Sequence, residues 1–275
     1  MQYLLPQHLL SALMYRFARL RWPPLRGALI RAFARHFQVN MAEAREPDLA
    51  AYDSFNAFFT RALQPGARPL PGDPAAIACP ADGALSQHGA IDAGRLFQAK
   101  GLDYRLDELV GDPAWAGRFA GGSFATIYLS PRDYHRVHMP ASGRLRAMLH
   151  VPGRLFSVNR ATASLVPRLF ARNERVVCLF EGDAGPFALI LVGAIFVGGM
   201  ETVWAGEVTP ARGQSPRRHY GDADPVDLTR GAEMGRFNMG STVILLFPPG
   251  AVTWDGALAP GVPLRMGQAL GRLQT

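Results

Sequence analysis

Three segments of this 275-residue chain carry residue types able to do chemistry. The first, residues 130–140 (SPRDYHRVHMP), follows an apolar run and holds His135 and His138. Ser130 and Pro131 read as an N-cap and first helical position, with Asp133 placed as in a capping box, which predicts a helical turn over 131–138. On such a turn the two histidines share a face, whereas in an extended strand the same spacing sets them on opposite faces. A pair on one face can bind a metal, act as acid and base, or decorate the surface. No third ligand of the right kind stands nearby in sequence, so no metal site is expected. Taken alone, the pair reads more simply as structural.

The second segment, residues 79–86 (CPADGALS), sets Asp82 before Gly83 and an alternating strand, an ordinary turn signal. Only a partner brought by the fold gives Asp82 a chemical role, and the histidines are the available partners. The third, residues 235–250 (GRFNMGSTVILLFPPG), places Gly240, Ser241 and Thr242 directly before an apolar strand. Ser241 is either a polar residue at a strand entry or a hydroxyl suited to attack the preceding carbonyl. Glycine leaves that approach open and tolerates unusual backbone angles. Asp, His and Ser together also suggest a hydrolase, but no G-x-S-x-G elbow occurs, and neither a P-loop nor a dinucleotide fingerprint is present.

The elements that must position these residues are mostly short strands. Gly and Pro number 29 and 22, hydrophobic residues make up 48% and charged residues 19%, a globular and turn-rich composition. Strands are expected near 84–91, 95–100, 123–129, 144–151, 175–181, 186–198, 202–208 and 242–247, with helix best supported over 160–172 and around 53–62. A Pro- and Gly-rich loop over 64–75 leads into this body. The expected class is α+β: a β-dominated body of antiparallel or mixed short strands, residues 46–275, behind N-terminal amphipathic helices, residues 1–45.

The formal charge of +7 is unevenly placed. Residues 1–42 hold six arginines and no acid, and the remainder holds 23 basic and 22 acidic residues. The near-neutral body argues against nucleic acid as a partner. In the arm, Leu10, Leu13, Met14, Phe17 and Leu20 form one stripe and Leu25, Leu29, Phe33 and Phe37 another, with arginines outside both. Such helices suit an anionic lipid surface or pack on the body with solvated arginines. No secretory signal or membrane-spanning segment stands out, and a cytoplasmic protein with a membrane-apposed arm is expected. Cys79 and Cys178 form no CxxC and read as buried apolar residues. Lys100 is the sole lysine against 28 arginines, so it alone is available for Schiff-base lysine chemistry.

At these residues the chain resembles the phosphatidylserine decarboxylases. The likeness runs in order through FNAFFTRAL (55–63), PADGALSQ (80–87), AKG (99–101), YHRVHMP (134–140), LFSVN (155–159), LFARNERVV (169–177), ETVWAGEVTP (201–210) and MGRFNMGSTVILLF (234–247). It is weakest in the arm and at the C-terminal end. Met239 stands where many relatives carry Leu, a conservative change.

The resemblance implies self-cleavage between Gly240 and Ser241 into chains 1–240 and 241–275, with Asp82, His138 and Ser241 as the processing triad. His138 would take the Ser241 proton and Asp82 would orient the imidazole. Ser241 Oγ would move the chain from amide to ester, and elimination followed by hydrolysis would leave a pyruvoyl group derived from Ser241. That covalent cofactor would form a Schiff base with the amine of phosphatidylserine, and loss of carbon dioxide would yield phosphatidylethanolamine. This accounts for a decarboxylase with a single lysine. His135, implied by the resemblance and three residues from His138, would return the proton. The implied partners are phosphatidylserine, an anionic membrane and the cleaved 241–275 chain, in a heterodimer that allows a dimer of heterodimers. The implied location is peripheral, at the cytoplasmic face of the cell membrane. Deleting residues 1–40 is expected to abolish vesicle binding and spare self-cleavage. The competing readings are a Ser-His-Asp lipid hydrolase, a non-catalytic lipid-binding β-domain, and a pyruvoyl amino-acid decarboxylase, which would leave the basic arm without a purpose.

Overall fold

A computed structural model describes residues 5–99, 101–196, 199–210 and 217–274. Lys100 therefore lies outside the described residues. Among these, the largest sheet has nine strands, all paired antiparallel. Its centre is the strand Ser241–Phe247, held between Gly185–Val192 on one side and Ser123–Leu129 on the other. Side chains of this strand alternate between two cores, with Val243, Leu245 and Phe247 in one and Ile244 and Leu246 in the other. Burial on both faces explains why the segment reads as a continuous apolar run. The expected α+β class and β-dominated body are what the chain adopts.

Several element boundaries differ from expectation for identifiable reasons. The helix expected over 160–172 is two short helices, Arg160–Ala163 and Leu169–Arg172. Pro167 lies between them, where it lacks a donor and restricts Val166. The strand expected over 202–208 is a hairpin of Met200–Thr202 and Gly206–Thr209. The strand expected over 186–198 ends at Val192.

The N-terminal segment forms α1 (Gln7–Ala18) and α2 (Pro23–His36), with α3 (Phe55–Phe59) following. Pro23 and Pro24 open α2, where a missing N–H costs nothing, and the Ser54 side chain caps α3 by accepting from the Ala57 N–H. The two arm helices bury different chemistry. In α1 the inward residues are Gln7, Ser11 and Ala18. Gln7 accepts from the Leu155 N–H, Ser11 accepts from the Phe196 N–H, and Tyr15 and Arg19 both donate to Glu207. This polar docking leaves Leu9, Leu13, Leu20 and Trp22 exposed. In α2, Ile30 and Ala34 join Phe55, Phe58 and Phe59 in a third core, against which Phe33 and Met239 also pack.

Candidate active site

Ser241 pairs with Leu129 in the nine-stranded sheet, and the turn over 130–135 carries the chain from Leu129 to His135, whose Nε2 lies by Gly240. The Asp133 carboxylate accepts from both the N–H and the hydroxyl of Ser130, 2.7 Å each, and the Asp133 N–H returns to the Ser130 carbonyl. The capping contacts form, but the helical turn expected over 131–138 does not. Arg136–His138 is a strand paired with Glu233–Phe237, and the Phe237 N–H donates to the His135 carbonyl. The ladder offers this backbone more hydrogen bonds than one isolated turn can. The shared helical face expected for His135 and His138 is therefore absent, and the two imidazoles have separate surroundings.

His135 is fully buried. Its Nδ1 lies 2.8 Å from the Asp133 carbonyl, which can only accept, so Nδ1 carries the proton. Nε2 is then a bare acceptor, buried without a hydrogen-bond partner. The Phe59 ring lies against the imidazole, centroids 4.1 Å apart. Burial, with Arg61 adding to it, pushes the imidazole down to about 3. A methyl carbon placed on Gly240 would lie 3.9 Å from His135 Nε2 and from the Leu129 carbonyl oxygen, with nothing nearer. Gly240 has no left-handed φ, so the glycine contributes clearance and not the unusual backbone angle considered from sequence. Ser241 is buried at the start of the central strand, paired with Leu129, and among the described residues its hydroxyl has no hydrogen-bond partner. A cavity of about 530 Å³ opens onto Gly240 and Ser241, walled by Phe33, Phe37, Phe59 and Met239.

His138 is satisfied at both nitrogens. Nδ1 lies 2.8 Å from the Gly231 carbonyl, and Nε2 lies 3.0 Å from the Tyr134 hydroxyl, which donates to it. Burial lowers its affinity for a proton, while Glu233 and Asp82 act in the opposite direction. Asp82 is gripped by Arg68, with Nε 2.9 Å from Oδ1, and accepts from the Met266 N–H at 2.8 Å. Gly83 is required beside it, because a Cβ there would come within 2.3 Å of the Tyr128 carbonyl oxygen. Among the described residues no hydrogen bond joins Asp82 to His138 or His138 to Ser241. The fold thus opens Gly240 and Ser241 onto one cavity, buries His135 behind Gly240, and joins Tyr134 to His138 on a separate side with Asp82 acting on that imidazole.

Sequence reasoning missed Tyr134, Arg68 and Phe59. Tyr134 has a weak signal, standing four residues before His138. Arg68 has none, lying in a Pro- and Gly-rich loop that reads as a connector. No group of side chains arranged to hold a metal occurs among the described residues.

Because His135 is neutral in the fold but protonates near 6.5 when exposed, the unfolded chain binds the extra proton between pH 6.5 and about 3. Its contribution to stability is complete above pH 6.5 and is lost as the pH falls. From this group, unfolding of an uncleaved Ser241→Ala chain should cost about 2 kcal/mol less at pH 5 than at pH 7. Adding His135→Gln should remove that difference, and urea titrations at the two pH values measure it.

Comparison with known proteins decides the family. A family model described as phosphatidylserine decarboxylase matches residues 55–272, and one described as PSD matches residues 1–38. The chain belongs to the phosphatidylserine decarboxylase family. It is 59% identical over 274 residues to the phosphatidylserine decarboxylase proenzyme of Azotobacter vinelandii, covering 98% of this chain and 96% of that one. The proenzymes of the same name from Pseudomonas putida and Pseudomonas aeruginosa are 58% and 57% identical, each over 98% of this chain and 95% and 94% of theirs. The family match includes both histidines, Asp82 and the Gly240–Ser241 junction.

Proposed function

We propose that this chain is a self-processing phosphatidylserine decarboxylase whose pyruvoyl group comes from its own Ser241. One observation carries the reading: a buried, unpartnered Ser241 hydroxyl at an unobstructed glycine junction, with the bare Nε2 of His135 beside it. The same features fit a keto group at position 241, which needs space, exclusion of water and a nearby proton carrier.

For scission, Ser241 Oγ attacks the Gly240 carbonyl carbon and the amide nitrogen of residue 241 leaves with a proton, giving an ester. Loss of the Cα proton of residue 241 then breaks the Cβ–O bond and frees the Gly240 carboxylate, and water replaces the remaining nitrogen, released as ammonia, to leave the ketone. His138 is assigned as the base. Burial lowers the proton affinity of both imidazoles, but on His138 the Gly231 carbonyl and the carboxylates of Glu233 and Asp82 act against it, with Arg136 opposing them, whereas on His135 only the Asp133 carbonyl does so and Arg61 opposes it. Tyr134 must release Nε2 for this step, and Arg68 keeps Asp82 in place meanwhile. After scission the strand from 241 stays laddered on both sides, which supports a lasting pair of chains.

The pyruvoyl group supplies a ketone that captures the substrate amine and an electron sink for the pair left as carbon dioxide departs. His135 manages the replacing proton. The substrate's carboxylate and phosphate bring negative charge toward the imidazole, favouring a proton on Nε2. The aromatic wall of α2 and α3 accommodates the lipid's apolar end and excludes water. Denaturing mass spectrometry of the purified protein tests the reading: two chains, 1–240 and 241–275, the second with a blocked N-terminus, support it, and one intact chain refutes it.

The proposal extends to a peripheral position on the cytoplasmic face of the cell membrane. Support comes from the exposed Leu9, Leu13, Leu20 and Trp22 beside exposed Arg16 and Arg21. No helix among the described residues is long and apolar enough to cross a membrane. The 1–40 deletion expected from sequence to act on binding alone would also strip Phe33 and Phe37 from the cavity and Ile30 from the third core. The clean test is therefore replacement of Leu9, Leu13 and Trp22 by Ser. Binding to anionic vesicles should fall at least about tenfold in co-sedimentation, since each loses an apolar insertion, while scission proceeds. Unaltered binding would remove α1 from the membrane contact.

A further inference from the structure

Across the 130–135 turn from Ser241 lies a second cavity, polar and of about 590 Å³, whose wall includes Arg61, Arg68, Asp82 and Asp133. Its carboxylates are already engaged. Asp82 accepts from Arg68 and the Met266 amide, Glu43 accepts from Arg68 and Arg265, and Asp133 accepts twice from Ser130. Arg61 is the exception. It is only 5% exposed, yet among the described residues no carboxylate lies within ion-pairing distance of it. Among the described residues its one hydrogen bond runs from Nη2 to the Arg132 carbonyl at 3.2 Å, and its guanidinium sits 5.6 Å from the Phe58 ring centre. Its Nε is buried without a hydrogen-bond partner among the described residues.

Asp82 and Asp133 act on Arg61 only at longer range. A guanidinium withdrawn from water without a directly paired carboxylate is destabilising, and its planar fork matches a carboxylate or phosphate better than any neutral group. The segment that holds it also serves the reaction site. Phe59, two residues earlier, lies against the His135 imidazole, and the charge of Arg61 acts on that imidazole. An anion arriving at Arg61 would thus be sensed at His135 through a short, rigid path.

We propose that Arg61 is the receptor for an oxyanion of the lipid headgroup, a binding residue in the polar cavity that complements the apolar cavity at Ser241. This rests on the decarboxylase reading. Phosphatidylserine offers two oxyanions, the phosphodiester and the carboxylate, and Arg61 is suited to either. Neutralising Arg61 on binding also removes its opposition to a proton on His135, so headgroup recognition and proton delivery are linked.

The test uses the mature two-chain enzyme with phosphatidylserine in mixed micelles, and compares Arg61→Gln and Arg61→Lys with the wild type. Arg61→Gln should be fully cleaved and show a KM raised roughly 10- to 100-fold, as expected for loss of a charged hydrogen bond. Arg61→Lys, which keeps the charge and loses the fork, should fall between. Glycerophosphoserine and glycerophosphoethanolamine, added as soluble competitors, separate the two oxyanions. If Arg61 holds the phosphate, Arg61→Gln weakens both inhibitors equally. If it holds the carboxylate, only glycerophosphoserine is weakened. An unchanged KM with unchanged inhibition, or a wild type that neither compound inhibits, overturns the proposal. Should Arg61→Gln fail to fold, an unchanged KM in Arg61→Lys overturns it equally. A wild-type chain that stays uncut defeats the decarboxylase reading instead, and the mass spectrum reports that separately from KM.

Discussion

Ser241→Ala is expected to leave one uncut polypeptide of 275 residues with no decarboxylase activity, a loss of at least about 10⁴-fold, because both the nucleophile and the source of the keto group are gone. The fold should not suffer. Ser241 Oγ is buried with no partner, so its removal relieves an unsatisfied polar group and stability should be equal or higher by up to about 1 kcal/mol. Denaturing mass spectrometry reads the scission, release of carbon dioxide from phosphatidylserine reads the activity, and thermal unfolding reads the fold. Retained decarboxylation in this variant would end the pyruvoyl interpretation. A hydrolase using the same serine would also lose activity, but its wild type would be a single chain.

The second large effect is a crossed pattern at the two histidines. His135→Gln should be cleaved into two chains yet lose about 10²- to 10⁴-fold in turnover, the range for removing a positioned proton carrier. His138→Gln should remain largely uncut. The crossing follows from their surroundings. His135 presents a free Nε2 at the Gly240 junction with no carboxylate acting on it, whereas His138 is acted on by Glu233 and Asp82, opposed by Arg136, and is held by Tyr134 until the base is needed. Time courses of chain cleavage and of carbon dioxide release, run on the same preparations, separate the two roles. If His135→Gln blocks cleavage and His138→Gln does not, the assignments exchange.

Much of this arrangement was legible residue by residue. The central strand announced itself because a run of Val, Ile, Leu and Phe after Gly-Ser-Thr has to be buried on both faces, and it is. The polar turn at 130–133 was legible through Ser130 and Asp133, whose contacts are local. The helix drawn from that turn was not correct, because the partner that converts 136–138 into a strand lies about a hundred residues away at 233–236. In α1 the apolar stripe was visible, but its exposure depends on Gln7, Ser11 and Tyr15 finding partners at Leu155, Phe196 and Glu207. Nothing local to the chain distinguishes Arg61 from Arg68, and only the carboxylates brought by the fold make Arg68 saturated and leave Arg61 without a direct partner.

By itself the sequence determined which residues are capable of chemistry, the strand-rich class and the uneven charge, since these depend on residue type and on spacing over a few positions. Tertiary structure decided which histidine faces Gly240, that α2 walls the reaction cavity, and that among the described residues no carboxylate comes within ion-pairing distance of Arg61. Those outcomes depend on contacts between segments far apart in the chain, and a buried polar group's behaviour is set by what surrounds it, which no local pattern encodes.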